Sequence, residues 1–133
     1  RVMRAVGSVV WVTSEDALDV VTALSGSGPA YFFLMAELMS QAAIDLGLEP
    51  AAARLLAVQT LHGAGQLAVT GDGDLVRLRT EVTSPGGTTE AALRAYEAAD
   101  LRAIVARALT AATQRSRELA MQLEKTDKPG SAP

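Results

Sequence analysis

Apolar positions along this chain recur at helical spacing, with polar faces between them, and almost nowhere alternate. The first helical pattern follows Thr13 and Ser14, with Ala17, Leu18, Val20, Val21 and Leu24 on its apolar side. Thr13 with Asp16 resembles a capping box, and Glu15 and Asp16 suit the positive helix end. This helix is expected to end near Ser25-Gly26. A second runs from Pro29-Ala30 to about Leu46, with Gly47 as its C-cap. It is apolar on nearly every side, the pattern of a helix buried all round in a large core or an oligomer. Pro50 starts a third helix, through Ala51–Val69, that carries Gly63 and Gly65 inside it. Each glycine costs about 1 kcal/mol against alanine, so a close approach should profit from them. Leu75–Val82, Thr88 to about Ala98, and Leu101 to about Leu123 complete six predicted helices. Val9-Val10-Trp11-Val12 reads as a short strand with no sheet partner downstream. The fold class is therefore all-α, a bundle of about six helices with a short N-terminal strand remnant.

The composition agrees. Apolar residues make up 49% of 133, yet aromatics are one Trp, two Tyr and two Phe. The core must come from Ala, Leu and Val, and alanine lets helices approach closely. A net charge of −3 offers no basic field for nucleic acid or an anionic membrane surface. No apolar run reaches the roughly 18 residues that span a bilayer, and no secretory signal is visible. There are no cysteines, which excludes disulfides and thiol chemistry and suits a cytoplasmic protein. The opening Arg1-Val2-Met3-Arg4-Ala5-Val6-Gly7 lacks an initiator Met. We read residues 1–12 as the end of a preceding domain, 13–124 as a helical domain, and 125–133 as a disordered tail.

Most candidate motifs have plain structural explanations. Gly26-Ser27-Gly28-Pro29-Ala30-Tyr31 fails as a dinucleotide fingerprint: a helix precedes it, and Tyr31 stands where a third Gly belongs. Asp72 and Asp74 sit beside glycines, but Val76 and Arg77 occupy positions where a calcium loop needs a ligand and a Gly. His62 is the single histidine and has no partner for a metal site; a packed or hydrogen-bonded structural role is expected, and no metal. The exception is Thr83-Ser84-Pro85-Gly86-Gly87-Thr88-Thr89-Glu90, a hydroxyl-rich turn leading straight into a helix. A capped Pro-Gly-Gly helix start explains it in part. It carries more hydroxyls than one cap needs, and helix N-termini suit small anions such as a carboxylate. It contains no histidine, no cysteine and no base, so it is expected to bind and orient a ligand without supplying much acid–base chemistry.

Two stretches together resemble a known family. Asp19-Val20-Val21-Thr22-Ala23-Leu24-Ser25-Gly26-Ser27-Gly28-Pro29-Ala30-Tyr31 and Val82-Thr83-Ser84-Pro85-Gly86-Gly87-Thr88-Thr89 are similar to the C-terminal domain of pyrroline-5-carboxylate reductases. Gln59-Thr60, Gly63, Arg102 and the Arg115–Leu119 stretch fit as well, so the resemblance covers about Val6 to Leu119.

The resemblance implies reduction of 1-pyrroline-5-carboxylate to proline with NADPH or NADH, the cofactor being held mainly by an N-terminal Rossmann domain. It implies an interleaved homodimer, often assembled into decamers, with each active site between the domains and built by two subunits. It places Ser84, Pro85, Gly86, Gly87, Thr88 and Thr89 in the substrate loop. The Ser84 hydroxyl and the Gly87 and Thr88 amides would meet the carboxylate, and Thr89, the catalytic residue, would meet the ring nitrogen. Ser25, Gly26, Ser27, Gly28 and Pro29 would lie near the nicotinamide end of the cofactor. Two departures stand out: no Rossmann fingerprint occurs here, and Ala99-Asp100-Leu101 replaces the family's common Gly-Gly-Phe. The chain alone is then expected to dimerise without reducing the imine. Two alternatives are a helical oligomerisation module with a vestigial site, and a related reductase of another imine or a 2-hydroxy acid.

Overall fold

A computed structural model of the protein describes residues 9–126, with side chains through Leu123. The described residues form α1 (Glu15–Val21), a π-helical turn (Thr22–Gly26), α2 (Gly28–Asp45), α3 (Pro50–Thr70), α4 (Leu75–Glu81), α5 (Thr88–Ala98) and α6 (Leu101–Thr126). The all-α expectation holds, and among the described residues there is no strand.

Local chemistry sets the helix limits. Gly47 takes φ +98°, its N–H donates to Ile44 O at 2.8 Å, and Leu48 N–H donates to Ala43 O at 3.0 Å. This is the Schellman ending that a glycine makes possible. Pro50 opens α3, and the Glu49 carboxylate accepts from the N–H groups of Ala51 and Ala52, both at 2.9 Å. Those two bonds hold the Glu49 carboxyl below the usual carboxylate range. Asp74 caps α4 by accepting from Arg77 N–H at 3.0 Å.

Three expectations are corrected. Val9–Val12 is irregular backbone. A β-branched run favours a pleated surface but becomes a strand only beside a partner, and Trp11 here stays 83% exposed. The α1 cap is Ser14, not Thr13: helix starts at Glu15, and Ser14 Oγ accepts from Ala17 N–H at 3.3 Å. The first helical run ends at Gly26, as expected, with a π-helical last turn from Thr22 in which Ser27 N–H donates to Thr22 O at 2.9 Å. Third, at the other end α6 continues through Thr126, so residues 125 and 126 are helical and not part of a disordered tail. The expectations for residues 1–8 and for the rest of the tail, 127–133, lie outside the described residues.

Asp100 joins α5 to α6 in the left-handed region, φ 55°. A glycine would be free of strain at such a junction, whereas an L-residue is strained by roughly 1–2 kcal/mol and Asp by less. Arg102 meets the Glu97 carboxylate at 2.7 Å beside it, an exposed pair of small energetic weight. Asp100→Ala is expected to lower stability by about 1 kcal/mol, while Asp100→Gly leaves it unchanged or raises it. Thermal unfolding of the two variants checks this.

The chain divides into two compact units. One takes the described residues through Gly28 and from Ala106 onward; the other is Pro29–Val105. Neither has a conventional core. Among the described residues the buried apolar side chains are Ala23 and Ala53, and no large side chain is fully buried. Phe32 and Phe33 on α2 are 60% and 66% exposed. In the second unit α2 and α3 border an open groove of about 440 Å³, lined by Phe33, Ser40, Ile44, Val58 and Leu61 among others. Among the described residues, nothing beyond the neighbouring backbone of α3 lies within 4 Å of a methyl placed at Gly63 or Gly65. The close approach that these glycines suggest is therefore not made within the described part of the chain.

Candidate functional site

Thr83 ends α4: its hydroxyl donates to Arg79 O at 2.6 Å and is thereby committed to the helix end. The next four residues form a type II β-turn. Gly87 N–H donates to Ser84 O at 3.0 Å, Pro85 sits at the second position, and Gly86 at the third takes φ +71°. Only glycine adopts that backbone without strain. Gly87 has an ordinary φ of −83°, but a methyl there would stand 3.1 Å from Ser84 O. The turn therefore requires glycine at 86 and is tight at 87.

Gly87 is also the N-cap of α5, and it has no side chain with which to cap. The first intrahelical bond runs from Ala91 N–H to Gly87 O at 3.2 Å. The amides of Thr88, Thr89 and Glu90 precede that bond and point out of the eleven-residue helix. Ser84 and Thr88 are exposed and Thr89 half-buried. The turn thus gathers three hydroxyls and the helix amides on one short segment. The Gly87 amide, expected to meet a carboxylate, already serves the turn, and can meet a ligand only by sharing its proton.

Glu90 adds an acceptor to which the sequence pattern alone assigns no role. Its Oε2 accepts from Gly86 N–H at 2.7 Å, and its Oε1 accepts from Arg94 Nη2 at 2.8 Å. A signal for it exists: a Glu in the first helical turn with Arg four residues on. Chemically, the segment can bind and orient a small anion and offer one hydroxyl to a neighbouring polar atom.

Ser25, Gly26, Ser27 and Gly28 belong to the first unit, and Pro29 begins the second, which also holds Ser84–Thr89. Pro29 occupies the first turn of α2, and Ser25 and Gly26 end the π-helical turn. Such turns add a residue to a helix and re-aim the chain beyond them. The segment is uncharged and small; Gly28 is buried, and a methyl placed on it would meet no atom within 4 Å. The segment lacks the cations and the strand–turn–helix that a diphosphate requires. Upstream, Asp19 accepts from Ser116 Oγ at 2.7 Å and pairs with Arg117 Nε at 3.5 Å. That tie to Ser116 spans 97 residues and carries no local signal.

The other motifs are structural. Asp72 and Asp74 make a capped turn; Arg77 bonds Asp72 at 2.8 Å and holds its carboxyl below the ordinary range, with the Asp74 N–H assisting. Arg77 also pairs with Glu81. His62 is exposed on α3 rather than packed. Among the described residues no group of three or more His, Cys, Asp or Glu could hold a metal. No described helix is long and apolar enough to cross a membrane.

Comparison with known proteins agrees with the two motifs. Residues 15–119 match the family described as "Pyrroline-5-carboxylate reductase dimerisation". The chain is 48% identical over 123 residues to a pyrroline-5-carboxylate reductase of Pseudomonas aeruginosa, covering 92% of this chain and 45% of that protein. Its fold is similar to a pyrroline-5-carboxylate reductase structure from Coxiella burnetii, with TM-score 0.83 and 51% identity over 89% of this chain and 44% of that one. It is also similar to a pyrroline carboxylate reductase of Plasmodium falciparum with NADP bound, with TM-score 0.75 and 30% identity over 84% of this chain and 42% of that one. The chain thus spans a little under half the length of these proteins. With a match from 15 to 119 and 48% identity to one of these reductases, the chain belongs to the pyrroline-5-carboxylate reductase dimerisation family.

Proposed function

We propose that this chain is the dimerisation and substrate-binding part of an enzyme that reduces 1-pyrroline-5-carboxylate to L-proline. The observation that carries the substrate half is the Ser84–Thr89 turn, an uncharged cradle of hydroxyls and open helix amides. The substrate's carboxylate lies against Ser84 Oγ and the amides at the start of α5, where the helix dipole favours an anion. Thr89 Oγ1 hydrogen-bonds the ring nitrogen and fixes which face of the C=N bond is presented. A protonated cyclic imine is already electrophilic at carbon, so the protein's part is orientation rather than proton transfer. NADPH or NADH, held mainly by a Rossmann domain outside this chain, supplies the hydride. Ser25–Pro29 faces its nicotinamide end.

The dimer half rests on exposure. Large apolar side chains cover α2 and α3, and each one left in water forgoes roughly 1.5–3 kcal/mol. A second copy, interleaved with the first, covers them, and the open space beside Gly63 and Gly65 suits its close approach. Each site is then completed by both subunits, and decamers extend the same assembly. The test is a steady-state assay of the full-length enzyme with NADPH and NADH against several cyclic imines and 2-oxo acids. Preferred turnover of 1-pyrroline-5-carboxylate is expected, with none from this chain alone. Preference for another imine or for a 2-oxo acid would contradict the substrate assignment.

A further inference from the structure

A carboxylate is an odd neighbour for a turn that binds an anion, yet Glu90 is bonded to the turn through one oxygen and to Arg94 of α5 through the other. Its Oε2 accepts from Gly86 N–H and its Oε1 from Arg94. An ordinary capping box would return this bond to the N-cap amide. Here the N-cap is Gly87, and the bond goes one residue further back, to the third residue of the type II turn. That difference has a consequence for the backbone. Type I and type II turns interconvert by a flip of the central peptide, here Pro85–Gly86. In the observed state that peptide's N–H points at Glu90, and Gly86 takes φ +71°. A flip would turn the N–H away and the Pro85 carbonyl toward the carboxylate, which repels it. Arg94 meanwhile offsets the Glu90 charge, leaving the mouth of the turn able to accept a second carboxylate.

We infer that Glu90 is a positioning residue that locks the Pro85–Gly86 peptide in the type II state, and that Arg94 neutralises it. The inference rests on the reading of Ser84–Thr89 as the substrate site. Glu90 never touches the imino acid; it holds the groups that do.

The test uses the full-length enzyme and four variants. Glu90→Ala is expected to raise KM for the imino acid roughly tenfold, because loose groups bind a small ligand poorly. KM for the nicotinamide cofactor and the thermal midpoint should stay near the wild-type values. Glu90→Gln keeps an oxygen that can accept from Gly86 N–H, so it should recover most of the lost affinity. A capping role alone would lower the thermal midpoint and leave KM in place, and that result overturns the inference. Ser84→Ala and Thr89→Ala separate the two levels. If they alter imino-acid kinetics while Glu90→Ala does not, the positioning role falls and the site stands. If neither alters them, the site reading fails and this inference fails with it.

Discussion

Phe33→Asp is expected to leave the isolated chain monomeric and largely unfolded at micromolar concentration. Phe33 lies in α2, two-thirds exposed, at the groove between α2 and α3. In water that side chain contributes almost nothing; covered by a second copy it contributes up to about 3 kcal/mol. Replacing it by Asp removes this and buries an unpaired carboxylate, which costs several kcal/mol more. In a symmetric dimer both losses occur twice. Their sum reaches the whole stability of a typical domain, about 5–15 kcal/mol. Nothing inside one chain replaces the loss, because Ala23 and Ala53 are its buried apolar side chains among the described residues. Folding and association are then expected to be one reaction, and the midpoint of thermal unfolding should rise with protein concentration. Sedimentation and far-ultraviolet circular dichroism check both points. A variant that remains dimeric, or a parent chain that is a folded monomer, contradicts this coupling.

Thr89→Ala in the full-length enzyme is expected to cut kcat/KM for imine reduction ten- to a hundredfold. The side chain stands at the second position of α5, half-buried, and its hydroxyl carries no hydrogen bond among the described residues. A hydroxyl so placed costs nothing to redirect toward a ligand. Losing its bond to a charged ring nitrogen removes about 1.5–3 kcal/mol, which is the stated range in rate. Thr89→Ser keeps the hydroxyl and should retain most activity. Unchanged turnover in Thr89→Ala would refute the role given to this residue and favour a vestigial site.

Much of this is legible in the sequence because the punctuation is local. Pro29, Gly47, Pro50 and Asp74 set helix limits through their own backbone or side-chain chemistry, with no help from distant residues. The Ser84–Thr89 turn is legible for the same reason: Pro at the second position and Gly at the third specify its type. Asp100 is visible as a departure from the family's glycine, and its positive φ explains why glycine suits that place. The hidden features depend on choices between near-equal neighbours or on distance. Ser14 and Thr13 are both favourable caps by type, and the observed helix start selects Ser14. The π-helical turn at Thr22–Gly26 differs from an α-helix by one hydrogen-bond register, which composition does not encode. The Asp19–Ser116 tie joins residues 97 positions apart. Val9–Val12 misleads because β-propensity describes a fit to a sheet that is not there among the described residues. The all-round apolar pattern of α2 is a demand for cover, and its exposed Phe32 and Phe33 agree, although the sequence alone does not say which surface meets it.

The most direct measurement is a crystal structure of the full-length enzyme with L-proline and the oxidised nicotinamide cofactor. The proline carboxylate is expected over Ser84 Oγ and the α5 amides, its ring nitrogen within hydrogen-bonding distance of Thr89 Oγ1, and Ser25–Pro29 beside the nicotinamide. Proline bound away from the Ser84–Thr89 turn, or with its carboxylate turned from the start of α5, would contradict the substrate site proposed for this chain.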